Sequence, residues 1–371
     1  MAVQVNNQAL RRPRIAVTLG DPSGVGPELI AKLLSNTKNH QRADILLLAD
    51  DSEVQSAIRD AGGLHIPVTV ESASAHGIQI LDDGTAPNYT TVRGEVSRDA
   101  GARSLHQLRR ALALVQAGQV DAILFAPLNK SSLKATGMTE EDELRWFAHQ
   151  LRFTGKTSEI NIAGALWTAR VTSHIGVQDV AARITTENTL QAIELAHRLR
   201  WESGVESPRL GVCALNPHNG ENGAFGRQEI DAIRPAVELA RARGIDVVGP
   251  FPCDTIFLKR EHFDIIVTMY HDQGQIAMKL LSFDGGVTVQ GGLPIPVATP
   301  AHGTAFDIAG KNLASVTSTQ NAFDIAVTMA ERRILKDSLA ADTDPTVESV
   351  PLKAPLKANA TVVELLSGSC C

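Results

Sequence analysis

Short apolar runs alternate with longer stretches of helical periodicity along the chain. Residues 14–20 (RIAVTLG), 43–51 (ADILLLADD), 121–127 (DAILFAP), 169–174 (ARVTSH), 209–217 (RLGVCALNP) and 264–270 (DIIVTMY) each read as a buried strand. Helical patterns fall between them. ELIAKLLS follows Pro27, a residue tolerated in a first turn because its missing N–H has no partner there anyway. In 104–119, Leu105, Leu108, Leu112 and Val115 recur at helical spacing, and Gly118 is a stop signal. Residues 189–199 and 227–244 read as further helices. This alternation predicts a mainly parallel sheet covered by helices on both faces. From about Lys336 the prolines and the loss of periodicity predict a loosely attached extension.

In an open parallel sheet, ligands collect beyond the carboxyl ends of the strands. Three of the predicted strands end in a histidine: His174, His218 and His271. If those strands are parallel, the three imidazoles share one sheet edge. Three neutral imidazoles with an open fourth position suit a divalent metal such as zinc. Taken singly, each reads more readily as an ordinary loop histidine; three at equivalent strand ends bring the two readings level. Asp254 and Asp272 are carboxylates that could assist a metal or orient a histidine. Lys279 lies eight residues beyond His271 and reads either as a cation for a substrate anion or as a solvated lysine.

The turn GDPSGVGPE (20–28) joins a strand to a helix through Gly24-x-Gly26, but the third glycine position of a dinucleotide fingerprint is Leu29. A standard Rossmann site is therefore not expected. The turn is either a tight connection or an anion contact at a helix N-terminus. Cys213 and Cys253 read as small core residues rather than nucleophiles.

Composition narrows the class. A length of 371 residues allows two domains or one large one, and 43% apolar with 20% charged residues excludes a disordered chain. The net charge of -6 argues against a nucleic-acid partner. No apolar run is long enough to span a bilayer, and the first residues lack the apolar core of a secretory signal. Four cysteines without a C-x-x-C exclude a disulfide framework and a thiolate zinc site. The expectation is a cytoplasmic enzyme with neither a membrane nor a nucleic-acid partner.

The motifs GDPSGVGPE (20–28), APLNK (126–130), TSH (172–174), LNPHNGENGAFGRQE (215–229), MYHDQG (269–274) and HGTAFDIAG (302–310) together resemble the 4-hydroxythreonine-4-phosphate dehydrogenase (PdxA) family, in the family's order. The resemblance implies an α/β fold of two α/β/α domains of the isocitrate and isopropylmalate dehydrogenase type. The first domain would take 1–135 plus 300–340, the second 136–299 with the histidines, and 341–371 would be the extension. It also implies a homodimer with its active site in the interdomain cleft at the subunit interface. The implied reaction is NAD- or NADP-dependent, metal-dependent oxidation, with β-decarboxylation, of 4-hydroxythreonine 4-phosphate or a related hydroxy-acid phosphate. The family's metal ligands fall on His174, His218 and His271, with zinc ahead of magnesium, manganese and cobalt. Lys279 takes the substrate lysine's place, and Asp272 and Asp254 stand beside the reaction.

Three features depart from the family pattern. Its substrate His-Thr pair is missing, and the candidate replacements are Lys156-Thr157 or the stretch Glu143 to Arg145. Its substrate asparagine is Thr288 and its substrate arginine is Val297. Losing a fixed arginine removes a charge-assisted interaction of about 1.5–3 kcal/mol. Arg145 could supply the missing cation from another direction. These changes favour catabolic relatives acting on threonate or erythronate 4-phosphate, or on an aromatic cis-dihydrodiol dicarboxylate. A metal-dependent lyase or isomerase without nicotinamide is the alternative of another class. The sequence assigns no residues to the nicotinamide cofactor.

Overall fold

The computed structural model describes residues 11–68, 77–82, 84, 89–281 and 285–343. Its strands are β1 (Arg14–Thr18), β2 (Asp44–Leu48), β3 (Ile78–Ile80), β4 (Ala122–Phe125), β5 (Ser158–Ala163), β6 (Leu166–Arg170), β7 (Leu210–Cys213), β8 (Val247–Phe251), β9 (Ile265–Thr268), β10 (Val287–Gly291) and β11 (Val297–Pro300). They form one sheet in the order β3-β2-β1-β4-β11-β10-β5-β6-β9-β7-β8.

Alternate residues along a strand face opposite sides. Ile15 and Val17 of β1 enter one apolar cluster while Ala16 enters another, so helices cover both faces, as the continuous apolar runs require.

The sheet is mixed rather than mainly parallel at its centre. β10 runs antiparallel to both β11 and β5, and β5 runs antiparallel to β6. The other pairings are parallel. These central strands escape the apolar-run criterion for a physical reason. β10 buries polar Thr288 and Gln290, and β11 has only four residues and ends in proline.

Helix boundaries also differ from periodicity. The helix read at 104–119 begins earlier, as Arg98–Gln116, because the Ser97 side chain accepts the N–H of Ala100 at 3.0 Å and caps it. The helix read at 227–244 opens as a π-turn, Glu229–Ile233, before the α-helix Arg234–Ala242. Pro235 has no N–H for the carbonyl four residues back, so the ladder widens there. The helix Thr317–Thr343 runs past Lys336, so the chain stays helical further than its prolines and poor periodicity suggested. The remaining C-terminal residues lie outside the described ones. Among the described residues no helix is long and apolar enough to cross a membrane.

Candidate active site

β6, β9 and β7 are neighbours and parallel, so their carboxyl ends open on one side of the sheet. β6 stops at Arg170, β7 at Cys213 and β9 at Thr268, earlier than the apolar runs suggested. Each predicted histidine therefore stands on the connection after its strand, and His271 is the first residue of the helix His271–Leu281.

Two of these connections are conformationally unusual. His174 has φ 44°, in the left-handed region. His218 opens a run of five consecutive left-handed residues, through Asn222. Each non-glycine residue there costs about 1–2 kcal/mol, so the run persists only where its surroundings hold it. Glu229 does so. It is fully buried, and one carboxylate oxygen accepts the N–H groups of Leu215 (2.8 Å) and Asn216 (2.7 Å). Its other oxygen accepts the Asn216 amide at 3.0 Å. The sequence after β7 is thereby tied down just before the histidine.

The His174 and His271 rings lie 5.7 Å apart, centre to centre. Each has Nδ1 on a carboxylate: His174 on Asp142 at 3.1 Å and Glu141 at 3.0 Å, His271 on Asp272 at 2.7 Å. A carboxylate on Nδ1 favours the Nδ1–H tautomer and leaves the Nε2 lone pair facing outward. His218 is placed differently. Its ring meets Phe225 at 6.3 Å and lines a cavity of about 780 Å³ with Asp254, Tyr270 and Asp272. Among the described residues, the metal-capable side chains whose donor atoms fall within 4.8 Å of one another are Glu141, Asp142 and His174, not the three histidines.

The remaining candidates divide. Lys279 is exposed and sits two turns from His271 on the same helix face, with Gln275 between them. Thr288 is buried, and its hydroxyl accepts from the Asn161 amide at 3.2 Å. Asn161 accepts in turn from Gln275 at 2.8 Å, so Thr288 supports the 271–281 helix from below. Arg145 is exposed on the helix Glu143–Gln150 and donates to the Thr157 hydroxyl at 2.6 Å. The two stretches that competed for the missing His-Thr pair thus touch each other.

Sequence reasoning missed Asp142. This buried residue caps the 143–150 helix, with Oδ1 accepting from the Arg145 N–H at 2.8 Å and Oδ2 facing His174. A cap signal was legible there, an aspartate before a helical pattern. Its histidine partner, 32 residues on, was not.

The GDPSGVGPE turn is accounted for by packing. A Cβ at Gly26 would sit 2.2 Å from the Leu19 carbonyl oxygen. Val25 gives its N–H to the Thr304 carbonyl at 3.0 Å, and buried Glu28 accepts from Lys32 and from the Ala314 N–H. Burial pushes the Asp21 carboxyl up. Cys213 is buried and shares a hydrogen bond with Cys253, which raises its thiol pKa further than burial alone.

The family model described as "Pyridoxal phosphate biosynthetic protein PdxA" matches residues 36–326. The chain belongs to the PdxA family. It is 49% identical over 335 residues to a protein named putative 4-hydroxythreonine-4-phosphate dehydrogenase 2 of Pseudomonas aeruginosa, covering 86% of this chain and 98% of the relative. It is 38% identical over 329 residues to a D-threonate 4-phosphate dehydrogenase of Cupriavidus necator, with 86% and 98% covered. Among solved structures, a 4-hydroxythreonine-4-phosphate dehydrogenase from Burkholderia phymatum superposes with a TM-score of 0.71 at 36% identity, over 86% of this chain and 98% of that one. The relatives' names support an oxidoreductase of the dehydrogenase class for this PdxA-family chain. Val297, where the resemblance leads one to expect a substrate arginine, is fully buried in β11 and has no access to a ligand.

Proposed function

We propose that this chain is an NAD- or NADP-dependent, divalent-metal-dependent dehydrogenase of a phosphorylated hydroxy acid, with loss of a β-carboxylate after oxidation. The observation that carries this reading is the His174–His271 pair, carboxylate-backed and held beyond neighbouring parallel strands. The donor set fits a divalent metal: His174 and His271, with Nδ1 occupied, present Nε2 as ligands, and together with His218 they would hold the ion. When bound, the metal supplies Lewis acidity that lowers the substrate alcohol's pKa, while nicotinamide supplies the hydride acceptor. Imidazole donors favour zinc over magnesium, with manganese and cobalt between.

The chain's own residues do the positioning. Asp142 and Asp272 fix the tautomers of two histidines. Lys279 offers an ammonium on the His271 face of its helix, for the substrate or for proton delivery. Asp254 and Asp272 line the cavity that His218 enters. The same reading makes the chain a cytoplasmic homodimer. Support for the dimer comes from Leu258, Ile276 and Leu280, large apolar side chains exposed around that cavity. The division into 1–135 plus 300–340 and 136–299 belongs to the reading too, supported by β1–β4 lying on one side of β10 and β5–β9 on the other.

The substrate is either 4-hydroxythreonine 4-phosphate or D-threonate 4-phosphate. The buried Val297 and the structural role of Thr288 favour the second. NADH formation with each compound, with and without a chelator, tests the proposal. We expect chelator-sensitive turnover and a higher kcat/KM for the threonate ester. Full activity of metal-stripped protein would refute the metal's part, and absence of NADH with either ester would refute the dehydrogenase reading.

A further inference from the structure

Lys156 and Arg145 form a pair of cations beside the histidine edge. Lys156 is half-buried, and its ammonium donates to the Val171 carbonyl at 3.2 Å, just beyond β6 and three residues before His174. Arg145 is held by the Thr157 hydroxyl at 2.6 Å. Among the described residues neither is ion-paired, whereas the neighbouring Arg170 is neutralised by Glu159 at 2.6 Å. Burial and the Arg145 charge both press the Lys156 ammonium toward its neutral form. Two uncompensated cations held side by side are unfavourable in the free protein, and an anion between them removes the penalty.

The backbone is built to keep them there. Gly292, at φ 97°, lets the chain after β10 lie against residues 156 and 157, and a Cβ on it would come 2.2 Å from the Lys156 carbonyl oxygen. Arg145 is anchored from its other end by Asp142, which also holds His174. The cations and the histidine are therefore positioned by one connected set of contacts.

We propose that Arg145 and Lys156, with the Thr157 hydroxyl that receives the Arg145 guanidinium, form the subsite for the substrate's phosphate group, replacing the arginine expected at 297. Resting on the dehydrogenase reading, this assigns which end of the substrate faces the 143–150 helix. A guanidinium fork and an ammonium point charge together match a dianionic phosphate better than a single carboxylate.

The test titrates inorganic phosphate, and malonate in parallel, into the full-length protein by calorimetry. Wild type, Arg145→Met, Lys156→Met and Lys156→Arg are compared, with thermal unfolding as the folding control. We expect saturable phosphate binding, about tenfold weaker in each methionine variant and largely restored in Lys156→Arg. The KM for the phosphorylated substrate would rise in parallel, with a smaller change in kcat. Equal phosphate affinity in wild type and both methionine variants overturns the subsite, as does malonate binding more tightly with the same residue dependence. Residue-dependent phosphate binding without NADH formation would sink the dehydrogenase reading and leave the subsite standing. NADH formation with an unchanged KM in both methionine variants would do the reverse.

Discussion

Asp142→Asn is expected to lower metal affinity by about 10–100-fold while leaving the fold intact. Asparagine keeps the helix cap, because its carbonyl oxygen can still accept the Arg145 N–H now bound at 2.8 Å. Its amide NH2 then faces His174 Nδ1, where the carboxylate oxygen lies at 3.1 Å. A donor there drives the proton to Nε2 and removes the lone pair that would ligate the ion. Glu141, 3.0 Å from the same Nδ1, could partly take over, so Glu141→Gln/Asp142→Asn should show the full loss. Asp142→Ala additionally loses the cap, a further cost of about 0.5–2 kcal/mol in stability. Competition of zinc or cobalt against a chromogenic chelator, alongside urea unfolding, separates the two effects. Wild-type metal affinity in the double variant would show that the carboxylates do not set the tautomer.

Glu229→Ala is expected to cost about 3–4 kcal/mol of stability. The change orphans two backbone N–H groups, those of Leu215 and Asn216, and leaves the Asn216 amide with Gln228 alone. It also unbuckles the left-handed run that begins at His218, so activity should fall further than unfolding at the assay temperature can explain. Glu229→Gln keeps the volume and one acceptor oxygen and should lose about half as much. Urea midpoints with circular dichroism, and kcat on the folded fraction, check this. A Glu229→Ala midpoint within experimental error of wild type would show that the turn is held by something else.

Much of the outer architecture was legible from pattern alone. Continuous apolar runs mark β1, β2, β4, β7 and β9, because a strand buried on both faces needs apolar residues at every position. The central β5, β10 and β11 were not legible. Their buried Asn161 and Thr288 are tolerable in a core through hydrogen bonds to partners distant in sequence, Asn161 to Thr288 and Gln275 to Asn161. The three histidines stood out because they follow strand-like runs next to turn residues. Asp142 and Glu229 did not, since an acidic residue in a polar stretch looks the same whether it is solvated or buried as a clamp.

By itself, then, the sequence determined the alternating α/β plan, the family, and which connections carry histidine, because these depend on local periodicity and on ordered motifs. Tertiary structure decided the mixed pairing at the sheet centre. It placed Thr288 beneath a helix, joined Arg145 to Thr157, and set carboxylates on two of the imidazoles. Those include contacts between residues as distant in sequence as Ser158 and Gly291. Their existence depends on chain packing in three dimensions, which no local pattern encodes.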